Sequence, residues 1–145
     1  DKSNIFPIVN KKEAFKWFLK AAKQAHEKAL LAIGRCYKDG RGVKKDEREA
    51  FAWMLKSAQR EFDEAQFNIG EYYQKGSSVN KKSDEIAIRW YKKAATQGHK
   101  RAQERITELQ KSTTKESRIK GELETISIKQ EISAQEQPPS FQLSL

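Results

Sequence analysis

The chain has 145 residues, 37% apolar and 34% charged, with 29 basic and 20 acidic side chains and a formal net charge of +9. No apolar run reaches the roughly 20 residues that cross a bilayer, so composition excludes a membrane-spanning helix. Its single cysteine, Cys36, excludes an internal disulfide and a thiolate metal cluster.

The first residue is Asp, so the chain is expected to be a piece of a longer one. Asn4, Asn10, Asn68 and Asn80 all lack the hydroxyl residue two positions on that glycosylation needs. Together with the lone cysteine, this points to a reducing compartment, with the cytoplasm the expected location. The basic and acidic residues after Gln110 cancel, so the whole positive excess belongs to residues 1–110. Such an excess attracts polyanions without being specific to them.

Residues 1–10 look like the frayed end of a preceding repeat, because Val9-Asn10-Lys11-Lys12 parallels Val79-Asn80-Lys81-Lys82. From residue 11 the chain repeats itself at intervals of 36 and then 37 residues, which marks a stacked array. Three copies align on Trp17, Trp53 and Trp90, in units of about 11–46, 47–83 and 84–110. Ala14, Ala50 and Ala87 stand three residues earlier, and Phe18, Met54 and Tyr91 one residue later. The small pairs Ala21-Ala22, Ser57-Ala58 and Ala94-Ala95 follow. Ala29, Ala65 and Ala102, then Ile33, Ile69 and Ile106, complete the match.

Ala14, Trp17, Phe18 and Ala21 sit at i, i+3, i+4 and i+7, which predicts one buried helical stripe. The second helix of each unit carries Gly34 or Gly70 and then Tyr37 or Tyr73. A glycine inside a helix costs about 1 kcal/mol relative to alanine. Its recurrence predicts a large side chain of the adjoining helix, a tryptophan by expectation, lying over bare backbone. Gly40 and Gly76 end these helices, and Val43 and Val79 are expected to tuck each loop against the core. Asp46 with Glu49 forms a capping-box start, and Ser83 or Asp84 starts the third unit. Phe15, Leu19 and Ala22 form a second apolar stripe beside the first, and a hairpin with two such stripes cannot bury both alone. The expected fold is therefore all-α: a right-handed α-solenoid of about three stacked helix-turn-helix units.

Residues 111–145 form a polar extension. The stretch KSTTKES from residue 111 is expected to break the helix. A helix over 116–133, with Ile119, Leu123 and Ile126 on one side, would cap the array, and disorder is the competing expectation. Pro138-Pro139 would end any helix.

The joint pattern resembles the Sel-one-like repeat, a relative of the tetratricopeptide repeat. The residues that carry the likeness are Ala87, Trp90, Tyr91, Lys93, Ala94, Ala95, Gly98 and Ala102, with Gly34, Tyr37, Gly40, Gly42, Val43, Gly70, Tyr73, Gly76 and Val79. The positions matched in every unit include Ala22, Ala58 and Ala95. The inter-helix glycine survives only at Gly98; Ala25 and Glu61 replace it, so those turns need another geometry or carry mild strain. The resemblance implies an adaptor role in signalling or quality control. It also has cysteine-rich secreted relatives whose hairpins are stapled by disulfides, which this chain cannot form.

No catalytic, metal or cofactor constellation emerges. His26 and His99 lack companions at ligand spacing, Cys36 lacks a paired base and reads as an inert buried thiol, and the glycines of DGRGV lack a phosphate loop's Gly-Lys-Ser/Thr ending. The regular feature left over is basic. Lys11-Lys12, Lys44-Lys45 and Lys81-Lys82 precede the first helices, and Lys20, Lys56 and Lys93 recur within them. In tetratricopeptide-like arrays the first helices line the concave face. Lys16, Lys20, Lys56, Arg89 and Lys93 are therefore the candidate residues for holding another protein's peptide or helix, with no cofactor. The alternative is a basic surface for nucleic acid or anionic lipid, whose binding would fall steeply with salt.

Overall fold

A computed structural model describes residues 10–136. It contains six helices: α1 (Lys11–Lys23), α2 (Glu27–Asp39), α3 (Glu47–Gln59), α4 (Asp63–Lys75), α5 (Asp84–Thr96) and α6 (Lys100–Glu136). Contacts between Cα atoms divide the chain into two units, Asp1–Thr107 and Glu108–Leu145. The first is the all-α solenoid that the repeat predicts, and no strand occurs among the described residues.

Each of α1, α3 and α5 begins at a capping side chain. Asn10 accepts from Lys12 N–H at 3.1 Å, and Asp46 accepts from Arg48 and Glu49 N–H at 3.0 and 3.1 Å. Ser83, rather than Asp84, caps α5 by accepting from Ile86 N–H at 3.2 Å. Only half of the expected capping box forms: the Asp46 N–H donates to Tyr37 O at 2.9 Å, and Glu49 accepts from Trp53 Nε1–H at 3.0 Å instead. Gly40, with φ 68°, closes α2 in the left-handed conformation that costs glycine little.

The three tight turns share one geometry. Ala25, Glu61 and Gly98 have φ of 58°, 61° and 91°. In each, the next residue's N–H reaches back five positions: His26 to Ala21, Phe62 to Ser57 and His99 to Ala94, at 3.4, 3.4 and 3.2 Å. This is the Schellman arrangement. The substitutions at Ala25 and Glu61 have not changed the turn. They carry the strain that a Cβ suffers at positive φ, about 1–2 kcal/mol each.

The helical glycines mark close approach, as expected, but the tryptophans are not what covers them. A Cβ on Gly34 would lie 2.6 Å from Met54 Cγ, and one on Gly70 would lie 2.5 Å from the Tyr91 ring. The covering residue is the one after each tryptophan. A helix turns about 100° per residue, so Met54 and Tyr91 face the preceding helix while Trp53 and Trp90 point to its flank. The predicted stripe is corrected accordingly. The fully buried positions are Ala50, Met54, Ser57 and Ala58 on α3, and Ala87, Tyr91 and Ala94 on α5. Trp17 is 67% exposed and Phe18, the counterpart of Met54, 37% exposed. No helix precedes α1 among the described residues, so nothing there plays the part that Gly34 plays for Met54.

Packing is most extensive between α2 and α3 and between α4 and α5, across the long loops rather than across the tight turns. Two polar side chains are fully buried in it, and both are satisfied. Ser57 Oγ donates to Glu27 O at 2.6 Å, pinning α3 to the start of α2. Gln66 Nε2 donates to Ala58 O at 3.3 Å, while its Oε1 accepts from Gln97 Nε2 at 2.9 Å, linking the turns of successive hairpins.

In the second unit, α6 runs without the break expected at 111–117. The threonines there turn their hydroxyls back onto their own helix: Thr113 Oγ1 donates to Leu109 O and Thr114 Oγ1 to Gln110 O, both at 2.9 Å. Residues 110–136 are exposed throughout, including Ile119, Leu123, Ile126, Ile128 and Ile132. The expectations for the remnant at 1–9 and for Pro138-Pro139 lie outside the described residues.

Candidate partner-binding surface

On α1, α3 and α5 the same pair recurs. Lys20 Nζ lies 4.9 Å from the centre of the Trp17 ring, Lys56 Nζ 4.7 Å from that of Trp53, and Lys93 Nζ 4.9 Å from that of Trp90. The i, i+3 spacing places each ammonium over the indole one turn before it. At exposed sites such cation–π contacts contribute about 0.5–1 kcal/mol. Their further effect is to hold a long, mobile lysine in one orientation while its charge stays in water. The three repeat lysines singled out in the sequence thus share one posture, each on an aromatic base.

Lys56 also borders a cleft of about 610 Å³. Ala22, Leu30 and Trp53 give it apolar walls, and Lys23, Lys56 and Arg60 bring cations to it, with no carboxylate in the lining. It forms where the α1–α2 turn meets the C-terminal end of α3. Lys23 and Arg60 were not among the sequence candidates. They sit at helix ends where no repeat alignment pairs them; their shared feature is a basic residue beside a Schellman turn. Of the predicted set, Lys56 alone lines this cleft. Lys16 is exposed on α1, and Arg89 Nη2 pairs with Glu85 at 2.7 Å along α5.

The residues considered for chemistry have structural places. His99 Nε2 meets Glu64 Oε2 at 2.8 Å, its Nδ1 accepts from Ala102 N–H at 3.2 Å, and its ring stacks on Phe67 at 4.7 Å. It therefore caps α6 and joins it to α4. His26 is exposed and makes no side-chain cap. Cys36 is buried, and that burial pushes its thiol up from the usual range. Burial likewise raises Tyr37 and Tyr72, with carboxylates adding to it: Glu49 and Asp46 for Tyr37, Glu47 and Asp39 for Tyr72. Among the described residues no three His, Cys, Asp or Glu side chains converge as a metal site would need, and no helix is long and apolar enough to cross a membrane.

Stacked helical hairpins with a patterned flank define a repeat scaffold of the α-solenoid class. The Sel1 repeat model matches residues 5–26, 27–62 and 63–99, and the chain belongs to the Sel1 repeat family. The second and third matches bracket the pairs α2–α3 and α4–α5, which pack most extensively. Sel1 repeats are generally protein–protein interaction modules.

Among solved structures, a Sel1 repeat protein from Oxalobacter formigenes is 36% identical with a TM-score of 0.64, over 66% of this chain and 39% of its own. The protein c5321, a protective antigen of uropathogenic Escherichia coli with an SLR fold, is 28% identical with a TM-score of 0.64, over 69% of this chain and 21% of its own. Helicobacter pylori cysteine rich protein B is 26% identical with a TM-score of 0.61, over 65% of this chain and 70% of its own. The chain thus spans well under half the length of the first two. No curated protein sequence matches it.

Proposed function

We propose that the array is a non-catalytic interaction module whose α1–α3 cleft takes an acidic, partly apolar segment of another protein, within a larger signalling or quality-control assembly. The observation that carries this reading is the cleft's composition: an apolar wall, three cations and no carboxylate. A carboxylate side chain entering it would meet Lys23, Lys56 and Arg60 while its neighbours cover Trp53 and Leu30. Lys20 and Lys93, held on their own tryptophans, extend the basic row along α1 and α5. Lys16 and Arg89 are its exposed outer members. The lone cysteine suits a reducing compartment such as the cytoplasm.

The test is selection from a random peptide-display library on the full chain. Enrichment of motifs that place an acidic residue beside an apolar one, lost in the Lys56→Glu, Arg60→Glu variant, supports the reading. No enriched motif, or motifs indifferent to those reversals, overturns it. Equal retention of duplex DNA or anionic vesicles, falling steeply with salt, would point to the nonspecific basic surface instead.

A further inference from the structure

Residues 110–136 of α6 carry a pattern that neither the repeat nor the proposed cleft uses. Ile119, Leu123 and Ile126 are 45%, 61% and 52% exposed and follow each other at intervals of four and three. That is the d–a–d spacing of a coiled-coil seam, which Gln130 and Ser133 continue at the next a and d positions. Charge along the same helix is strongly polarised. Residues 110–121 hold Lys111, Lys115, Arg118 and Lys120 against Glu116. Residues 122–136 hold Glu122, Glu124, Glu131 and Glu136 against Lys129. The helix is therefore basic at one end and acidic at the other.

A helix of this kind complements a second copy of itself running in the opposite direction. We propose that α6 is a self-association element in which two copies of the chain pair antiparallel along this seam. The heptad assignment also limits the antiparallel registers, and charge selects one of them, because pairing Leu123 with Ile119 would set Glu122 against Glu122 and Lys115 against Lys129. When Leu123 of one copy packs against Ile126 of the other, Ile119 meets Gln130. The flanking g positions then pair Lys115 with Glu136 and Glu122 with Lys129, each twice by symmetry. All four contacts join opposite charges. The parallel alternative stacks Glu116 on Glu116 and brings Lys115 beside Lys120, so it opposes like charges at both places. Glu122 holds Arg118 at 3.2 Å in the single helix, an exposed i, i+4 contact that can be exchanged for Lys129 of the second copy. The seam is short, so the association is concentration-dependent, and its orientation is set by charge.

The experiment is sedimentation of the full chain, under reducing conditions to keep Cys36 free, over a wide concentration range. A monomer–dimer equilibrium is expected, abolished by Leu123→Asp with helical circular dichroism retained. Glu122→Lys alone and Lys129→Glu alone should each weaken the dimer at least tenfold. Mixing those two variants should restore it as a heterodimer, because each lysine then faces a glutamate. A parallel pair would be indifferent to both substitutions, since neither position faces a charge there. A chain monomeric at every concentration, a dimer that survives Leu123→Asp, or one unmoved by the charge changes would each overturn the proposal.

Discussion

Substituting Gly70 by alanine sets two opposed effects against each other at one atom. In a helix interior the change is worth about 1 kcal/mol in favour of alanine. Against that, the new methyl would lie 2.5 Å from both Cδ1 and Cε1 of Tyr91 and 3.0 Å from Cζ. Ordinary carbon contacts fall at about 3.5–4 Å, so the ring or the helix must retreat by about 1 Å. Tyr91 has no room to do so. It is fully buried, its ring lies 5.5 Å from that of Phe67, and its hydroxyl donates to Gln74 Oε1 at 2.6 Å. Overpacking of this kind costs about 1–3 kcal/mol, and a rigid ring puts the site at the upper end. Gly70→Ala should therefore be destabilising by about 2 kcal/mol net. Gly34→Ala meets Cγ of the unbranched Met54 side chain at 2.6 Å, which a rotamer change can move, but also the Ala50 carbonyl oxygen at 3.1 Å and Met54 N at 3.3 Å, which the backbone holds in place. Its net cost should be smaller, on the order of 0.5–1 kcal/mol. Gly121 is the internal control, because nothing lies within 4 Å of its missing Cβ. Gly121→Ala should stabilise its helix by up to about 1 kcal/mol. Urea unfolding followed by far-ultraviolet circular dichroism gives all three values. A Gly70→Ala protein more stable than the parent would refute the reasoning, since helix propensity would then have outweighed the supposed contact.

Ala25→Gly should raise stability by about 1 kcal/mol by relieving the left-handed turn, read as a melting-temperature increase of several degrees. Glu61→Gly should gain less, because it also removes the carboxylate that accepts from Gln66 Nε2 at 3.2 Å. His99→Ala should be destabilising by about 1–2 kcal/mol in urea, with part of the loss recovered by His99→Asn, which can still cap α6. Stability should fall as pH rises above about 8.5 and further near 10, the ordinary cysteine and tyrosine values. Cys36, Tyr37 and Tyr72 all ionise less readily folded than unfolded, so their contribution is complete below the unfolded values and is lost as pH climbs toward the folded ones. Cys36 should correspondingly react slowly with a thiol reagent until the chain unfolds.

The solenoid was legible because its determinants recur. Three tryptophan-anchored phrases 36 and 37 residues apart fix helix phase, turn position and the need to stack. What could not be read was which neighbour of each tryptophan enters the groove. Trp53 and Met54 are both large and apolar, and only the helices' mutual rotation decides between them. The strain at Ala25 and Glu61 was legible as a missing glycine. The continuity of α6 was not, because Thr113 and Thr114 favour turns in the unfolded chain yet bond back to the helix once it forms. Of the basic surface, Lys20, Lys56 and Lys93 were visible through repetition. Lys23 and Arg60 join Lys56 at the cleft through turn geometry, which no spacing within a single helix encodes.

The most direct test of the interaction account is calorimetric titration of a selected acidic–apolar peptide into the parent chain and into the Lys23→Glu, Lys56→Glu, Arg60→Glu variant, at about 50 and about 300 mM salt. The account predicts at least a tenfold loss of affinity on charge reversal, with the parent's affinity changing much less between the two salt concentrations. Affinity indifferent to the reversals, or a steep salt dependence matched by duplex DNA of equal charge, would contradict it.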